Sequence, residues 1–164
     1  MASEEGVIIR KIRASDDAKI ASIIRRSLEE FGAVKPGTVY FDETTDHLHL
    51  VFKTKDSVYF IAEINGEVVG GAGLFPTKGL PEGTCELVKM YVSFSSRGKG
   101  LGQLLLDECM REAKAIGYKT VYIETMPELV NAIQMYKKNG FDFIPASLGS
   151  SGHTGCDLFM TKEL

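Results

Sequence analysis

The sequence predicts one α/β domain over residues 1–164, a mixed sheet with helices packed against it. Three observations carry this. Strand-period and helix-period stretches alternate in the order β-α-α-β-β-β-α-β-α-β-β. An Asn65-Gly66 pair lies between the apolar runs Ser57 to Ile64 and Glu67 to Phe75, and supplies the positive φ angles of a type I′ hairpin turn. Finally, Cys85 to Leu106 passes from strand alternation through a glycine-rich turn to helical spacing.

Bulk properties narrow the class. A chain of 164 residues, 44% hydrophobic and 25% charged, has the balance of a globular domain with a sizeable core. A net charge of −3 argues against a general nucleic-acid binder. No apolar run approaches the ~20 residues of a membrane span. The opening MASEEGV is acidic and has no apolar stretch, so no secretory signal is read there. Three scattered cysteines without C-x-x-C fit reduced thiols, and a cytoplasmic location is expected.

The elements follow in order. Val7 to Arg13 is expected as an edge strand, and Ser15 as the N-cap of a helix favoured by Asp16 and Asp17. Ile20, Ile23, Ile24, Leu28 and Phe31 mark its buried face, and Gly32 ends it. Residues 33–46 have no period and are expected to be irregular, with a short helix over His47 to Phe52. Gly70, Gly71 and Gly73 in the second hairpin strand predict a bulge or a close approach by other atoms.

In the central strand, alternation predicts Val88, Met90 and Val92 on one face, together with Glu86, and Leu87 and Tyr91 on the other. Ser93 to Lys99 breaks the strand. Leu101, Leu104, Leu105, Cys109, Ala113 and Ile116 then form a helical stripe capped by Gly117. Tyr118 to Thr125 is the next strand. Pro127 suits the first position of a helix lined by Leu129, Ala132, Ile133 and Tyr136. Strands over Phe141 to Ile144 and Cys156 to Lys162 complete the chain.

The glycine-rich turn carries the first functional signal. A helix opening on such a turn presents unpaired backbone N–H groups at its positive end, where an anion can approach glycine main chain closely. Arg97 and Lys99 add positive charge. A P-loop fails because Gly100, not Ser or Thr, follows Lys99; a dinucleotide fingerprint fails because Gly102 comes one residue early.

The pattern present is R-x-x-G-x-G at Arg97, Gly100 and Gly102, directly after Met90-Tyr91-Val92. This resembles the acetyl-CoA pyrophosphate loop of the GNAT superfamily of N-acetyltransferases. A second segment, NAIQMYKKNGF from Asn131 to Phe141, is similar to that family's helix-plus-strand signature. Together the two cover about the C-terminal half of the chain.

The resemblance implies a twisted, mostly antiparallel sheet with flanking helices and a splayed parallel pair, formed by residues 85–92 and 119–125. The pantetheine arm of acetyl-CoA would enter that gap beside Met90, Tyr91 and Val92. Arg97, Gly98, Lys99, Gly100, Leu101, Gly102 and Gln103 would hold the pyrophosphate, and Asn131 the arm. It also implies Tyr136 as the acid that protonates the departing thiolate.

A free amine with a pKa near ~10 is an ammonium at pH 7 and needs a base before it can attack. Glu86 is the first candidate, since a carboxylate on an apolar strand face is paired, lines a cavity or works; an ion pair to Lys89 is the competing role. His153, in the loop GSSGHTGC, is the second. A main-chain N–H near Tyr91 or Val92 would stabilise the oxyanion. Cys85 and Cys109 read as packing residues, and Cys156 beside His153 lacks the third group of a nucleophilic site.

His47 and His49 with Asp42 and Asp46 are too loosely spaced for a metal, and none is expected. Residues 33–46 and 146–156 would frame the acceptor, and Tyr40, Asp42 and His153 make a cationic amine, small molecule or peptide, the expected substrate. A catalytically silent acyl-CoA sensor is the alternative. Neither nucleic acid nor membrane is expected as a partner, and a homodimer through the last strands is left open.

Overall fold

The computed structural model describes residues 6–152 and 154–164, so His153 lies outside the described residues. One seven-stranded sheet runs in the order β1-β2-β3-β4-β5-β7-β6. Its strands are β1 (Val7–Lys11), β2 (Val58–Ile64), β3 (Glu67–Phe75), β4 (Thr84–Val92), β5 (Thr120–Thr125), β6 (Asp142–Ile144) and β7 (Leu158–Glu163). Only β4 and β5 run parallel, and they pair only from Thr84–Glu86 to Thr120–Tyr122. Beyond that point the two strands part, as the expected splayed pair requires.

Helices cover both faces. On one, α3 (Leu101–Ile116) buries Leu105, Leu106, Cys109 and Ala113 against Leu74, Cys85, Leu87 and Val121, and α4 (Val130–Lys138) adds Tyr136. On the other, α1 (Asp17–Glu30) packs Ile20, Ile24 and Leu28 with Tyr59 and Ile61, beside Leu48 of the one-turn helix α2 (Leu48–Val51). Cys85 and Cys109 are core residues, as read. No helix among the described residues is long and apolar enough to cross a membrane.

Three local expectations are corrected. Ser15 is not the N-cap: Ala14–Asp16 form a 3-10 turn before α1 begins at Asp17. The Asp16 carboxylate takes the Arg13 N–H at 2.7 Å and a two-pronged bond from Arg10, at 2.8 and 2.9 Å. Burial works to raise its pKa, but these bonds outweigh burial and hold it low. Pro127 likewise precedes its helix: a turn closed by Leu129 N–H on the Met126 carbonyl delays α4 to Val130.

The third correction reaches the site. Leu87, Met90 and Val92 pack toward α3, whereas Val88 and Tyr91 pack toward α1, so simple alternation fails in β4. The cause is a β-bulge. Gly71 faces Tyr91 and Gly73 faces Val88, so Ala72 on β3 stands against two residues on β4, Lys89 and Met90, and Lys89 takes the left-handed φ of 53°. Glu86 therefore shares its face with Val88 and Tyr91 and not with Met90.

The β3 glycines make room for this. A Cβ on Gly71 would sit 2.5 Å from the Tyr59 ring, and one on Gly73 2.6 Å. The ring lies across both, and its hydroxyl donates to the Lys89 carbonyl at 2.7 Å.

Candidate functional site

Where β4 and β5 part, a cavity of about 490 Å³ opens. Its walls come from the β4 segment 86–92, the glycine turn, the end of β5, one face of α4, the C-terminal end of α1, and residues of two loops. It gathers Glu86, Met90, Tyr91, Val92, Arg97, Gly98, Gly100, Leu101, Gly102, Gln103, Asn131 and Tyr136. Most of the residues predicted from two distant motifs thus face one space.

At one end, Gly100 caps α3 in the left-handed conformation, φ 76°, and no side chain caps the helix. The first-turn N–H groups are left for a ligand. A Cβ on Gly98 or Gly100 would meet nothing within 4 Å on the protein side, so their bareness serves no packing. Gly102 differs, because a Cβ there would sit 3.3 Å from the Met135 sulfur, which ties it to the α3–α4 contact. The main chain of this turn fits a pyrophosphate.

The side chains of the turn are more committed than the sequence implied. Arg97 pairs with Glu30 at 2.6 Å, donates to the Val92 carbonyl at 3.0 Å and lies over the Phe31 ring. Much of its charge is spent locally, joining α1 to the turn. Gln103 exchanges amide hydrogen bonds with Asn139, at 2.8 and 2.9 Å. Lys99 is exposed and outside the cavity wall, and Asn131 is exposed on the first turn of α4.

At the other end Glu86 is 3% exposed and accepts a 2.6 Å hydrogen bond from the Thr77 hydroxyl. Burial raises its pKa to about 7; the Glu124 charge adds to this, while the Thr77 bond and Lys89 oppose it. Lys89 is not in an ion pair with it. Burial lowers the pKa of the Lys89 ammonium, while Asp42 and Glu86 hold it up. Tyr136 is buried, with its hydroxyl 3.9 Å from the Met90 sulfur, and burial drives its pKa up, so the phenol keeps its proton at neutral pH.

The predicted acceptor residues are placed differently. Tyr40 points its hydroxyl at Glu29, 3.4 Å away, and Asp42 accepts from the Thr44 N–H and hydroxyl; neither lines the cavity. Thr38 and Val39 from the same segment do. Asp46 pairs with Arg25 and His49 with Asp17, so these groups act as loop anchors rather than solvated charges.

Among the lining residues that the sequence reading gave no place in the site are Glu124, Cys156 and Lys89, the last read only as a possible ion-pair partner of Glu86. The Cys156 thiol is pushed up to about 12 by burial and by the charges of Glu124, Glu86 and Asp157, so it stands as a neutral thiol. Thr77, the partner of Glu86, sits in a loop where no local signal marks it. Glu124 had one signal, a carboxylate directly after the apolar run Val121 to Ile123.

The sequence profile of the Acetyltransferase (GNAT) family matches residues 20–141, across both the turn and α4. The chain belongs to the GNAT family.

A GNAT relative from Escherichia coli, described as the uncharacterized N-acetyltransferase YjgM, is 37% identical over 158 residues, covering 96% of this chain and 95% of that protein. The GNAT-family acetyltransferase of Staphylococcus aureus Mu50 superposes with a TM-score of 0.85 at 20% identity, over 96% of this chain and 99% of that one. The PaiA N-acetyltransferase of Thermoplasma acidophilum, solved in complex with coenzyme A, gives 0.76 at 18% identity, over 96% and 99%. The GNAT fold expected from the two motifs is therefore the fold observed, with its single parallel pair.

Proposed function

We propose that this GNAT acetyltransferase moves the acetyl group of acetyl-CoA to a primary amine by direct attack in a ternary complex. The observation that carries the reading is the meeting of Glu86, Tyr136 and the uncapped turn in one cavity. Acetyl-CoA supplies an activated thioester carbonyl. The coenzyme A bound to the structurally similar PaiA protein supports this choice of cosubstrate.

The residues divide the work. The N–H groups from Gly98 to Gln103 and the positive end of α3 hold the pyrophosphate, and Met90 to Val92 border the pantetheine arm. Glu86, with a pKa near pH 7, takes the ammonium proton through a water; a base of that strength outperforms an ordinary carboxylate. The amine nitrogen then bonds to the carbonyl carbon, a main-chain N–H near Tyr91 or Val92 supports the oxyanion, and the carbon–sulfur bond breaks. Tyr136 gives its proton to the leaving sulfur, and the second proton of the new C–N nitrogen, shed as the intermediate collapses, passes through water to restore the phenol. A neutral Cys156 thiol is a poor nucleophile, which favours direct transfer over an acetyl-cysteine intermediate.

The test is a melting-temperature comparison with acetyl-CoA, CoA, ATP and NAD, followed by thiol release on amine addition. A shift confined to acetyl-CoA and CoA, with amine-dependent thiol release, is expected. Binding without release would leave the acyl-CoA sensor in its place, and no shift with either CoA ligand would overturn the reading.

A further inference from the structure

The end of the cavity beyond Glu86 is bounded by two loops joined main chain to main chain. The Gly155 N–H donates to the Gly37 carbonyl at 2.9 Å, linking residues 33–39 to the β6–β7 connection. Neither glycine has room for a side chain. A Cβ on Gly37 would lie 2.6 Å from the Gly155 nitrogen, and one on Gly155 2.5 Å from the Pro36 carbonyl oxygen. The same connection is pinned elsewhere: Ser150 N–H donates to the Lys78 carbonyl at 2.8 Å, and Leu148 N–H to the Tyr122 hydroxyl at 3.2 Å. Lys35 pairs with Glu128, fixing the first loop to the turn before α4.

Under this crossing lies Glu124, on β5 beyond the paired stretch. Its two oxygens are held by neutral donors, the Tyr122 hydroxyl at 2.7 Å and the Ser151 hydroxyl at 2.5 Å. Among the described residues no basic side chain forms an ion pair with it. Among the described residues, the Glu86 carboxyl on β4 and the Cys156 thiol on the loop feel its charge, and Lys89 on β4 lines the same cavity. Arg97 is taken by Glu30 and Lys35 by Glu128. Lys89 shares its single charge between Asp42 and Glu86. A rigidly oriented carboxylate in a cavity wall, with hydroxyl donors and no ion-pair partner among the described residues, is a seat for a ligand's cation.

We propose that Glu124 is a specificity-determining residue that selects a compact acceptor, a primary amine carrying a second cationic group a few bonds away. The second cation rests on Glu124 while the reacting amine faces Glu86. The pinned loops exclude a folded protein surface. This rests on the acetyl-transfer reading of the same cavity.

The experiment measures binding to the full chain saturated with CoA, by calorimetry, and turnover with acetyl-CoA. The probes are 1,4-diaminobutane, 1-aminobutane, 4-aminobutanoate and a lysine-containing hexapeptide. The diamine is expected to bind about tenfold or more tighter than the monoamine, a factor typical of one charge-assisted contact. The anionic amine and the peptide should be poor ligands. In Glu124→Gln, which keeps one accepting oxygen, the diamine-to-monoamine ratio should collapse toward one through KM, with melting temperature and CoA affinity reporting on folding.

A ratio unchanged by Glu124→Gln, or equal use of 4-aminobutanoate or the hexapeptide, overturns this inference while leaving acetyl transfer in place. Failure to bind CoA overturns both.

Discussion

The hydroxyl of Tyr59 on β2 reaches across two glycines of β3 to donate to the carbonyl of Lys89 on β4, at 2.7 Å. That bond pins the β4 bulge, and the bulge sets which way Met90, Tyr91 and Val92 face. Tyr59→Phe leaves a carbonyl at the bulge without this donor, which typically costs about 1–2 kcal/mol. Because the loss falls on the strand bordering the pantetheine gap, KM for acetyl-CoA should rise along with it. Gly71→Ala should be worse than Tyr59→Phe, since its Cβ would meet the ring at 2.5 Å. Chemical denaturation and steady-state kinetics on both variants check this; equal stability of all three proteins would remove the role assigned to the bulge.

Glu86 links pH to both activity and stability. Its pKa is raised from 4.5 to about 7 in the folded chain. The deprotonated form is the base, so kcat/KM should climb as pH rises through about 7. Stability runs the other way. The folded state holds this proton more tightly than the unfolded one, so the contribution is complete below about 4.5 and is lost as pH rises through about 7. Glu86→Gln, neutral throughout, should lose most activity yet be more stable than the parent at pH 8, by up to about 3 kcal/mol. Melting curves at pH 5 and pH 8 would show the two proteins converging at the lower pH.

The acid side of the stability profile belongs to Asp16. Burial opposes its ionisation, but the bonds from Arg10 and Arg13 win and depress its pKa. Its stabilisation is therefore present above the ordinary carboxylate range and lost as pH falls through its lowered value. Asp16→Asn leaves the Arg10 guanidinium to Glu63 alone. The expected cost is roughly 3 kcal/mol at pH 7, and much less at pH 2. Urea unfolding at both pH values measures the difference.

What could be read from the sequence was what local chemistry dictates. The Asn65-Gly66 hairpin and the Arg97–Gly102 turn announce themselves because positive φ and a bare main chain demand particular residues at fixed offsets. The β4 bulge was hidden because an extra residue in a strand leaves an alternating pattern that still looks regular; only pairing with Gly71 and Gly73 reveals it. Glu124 was hidden for a related reason. Its approach to Glu86 depends on β4 and β5 pairing in parallel over only three residues, a register set by packing 36 positions apart. Asp16 won over Ser15 because Arg10, on the neighbouring strand, chose it.

Tyr136→Phe separates catalysis from packing. Among the described residues the hydroxyl's hydrogen-bond partner is the Met90 sulfur, at 3.9 Å, while the ring packs against Phe141 with centroids 5.8 Å apart. Phenylalanine keeps the ring contact, so stability should change by less than about 1 kcal/mol. Loss of the acid should lower kcat about 100-fold with little change in KM. An unchanged kcat would return Tyr136 to a packing role.

The glycine turn is tested by Gly100→Ala. The left-handed φ of 76° costs an alanine roughly 1 kcal/mol, and no protein atom lies within 4 Å of the new methyl. The folding penalty is therefore modest and known in advance. The methyl instead projects where a ligand's phosphates must meet the first N–H groups of α3, so CoA affinity should fall about tenfold or more. Gly102→Ala provides the contrast, because its methyl presses on Met135 at 3.3 Å and should weaken the α3–α4 contact itself. If Gly100→Ala bound CoA as tightly as the parent chain, the turn would be a connection between β4 and α3 and not an anion site.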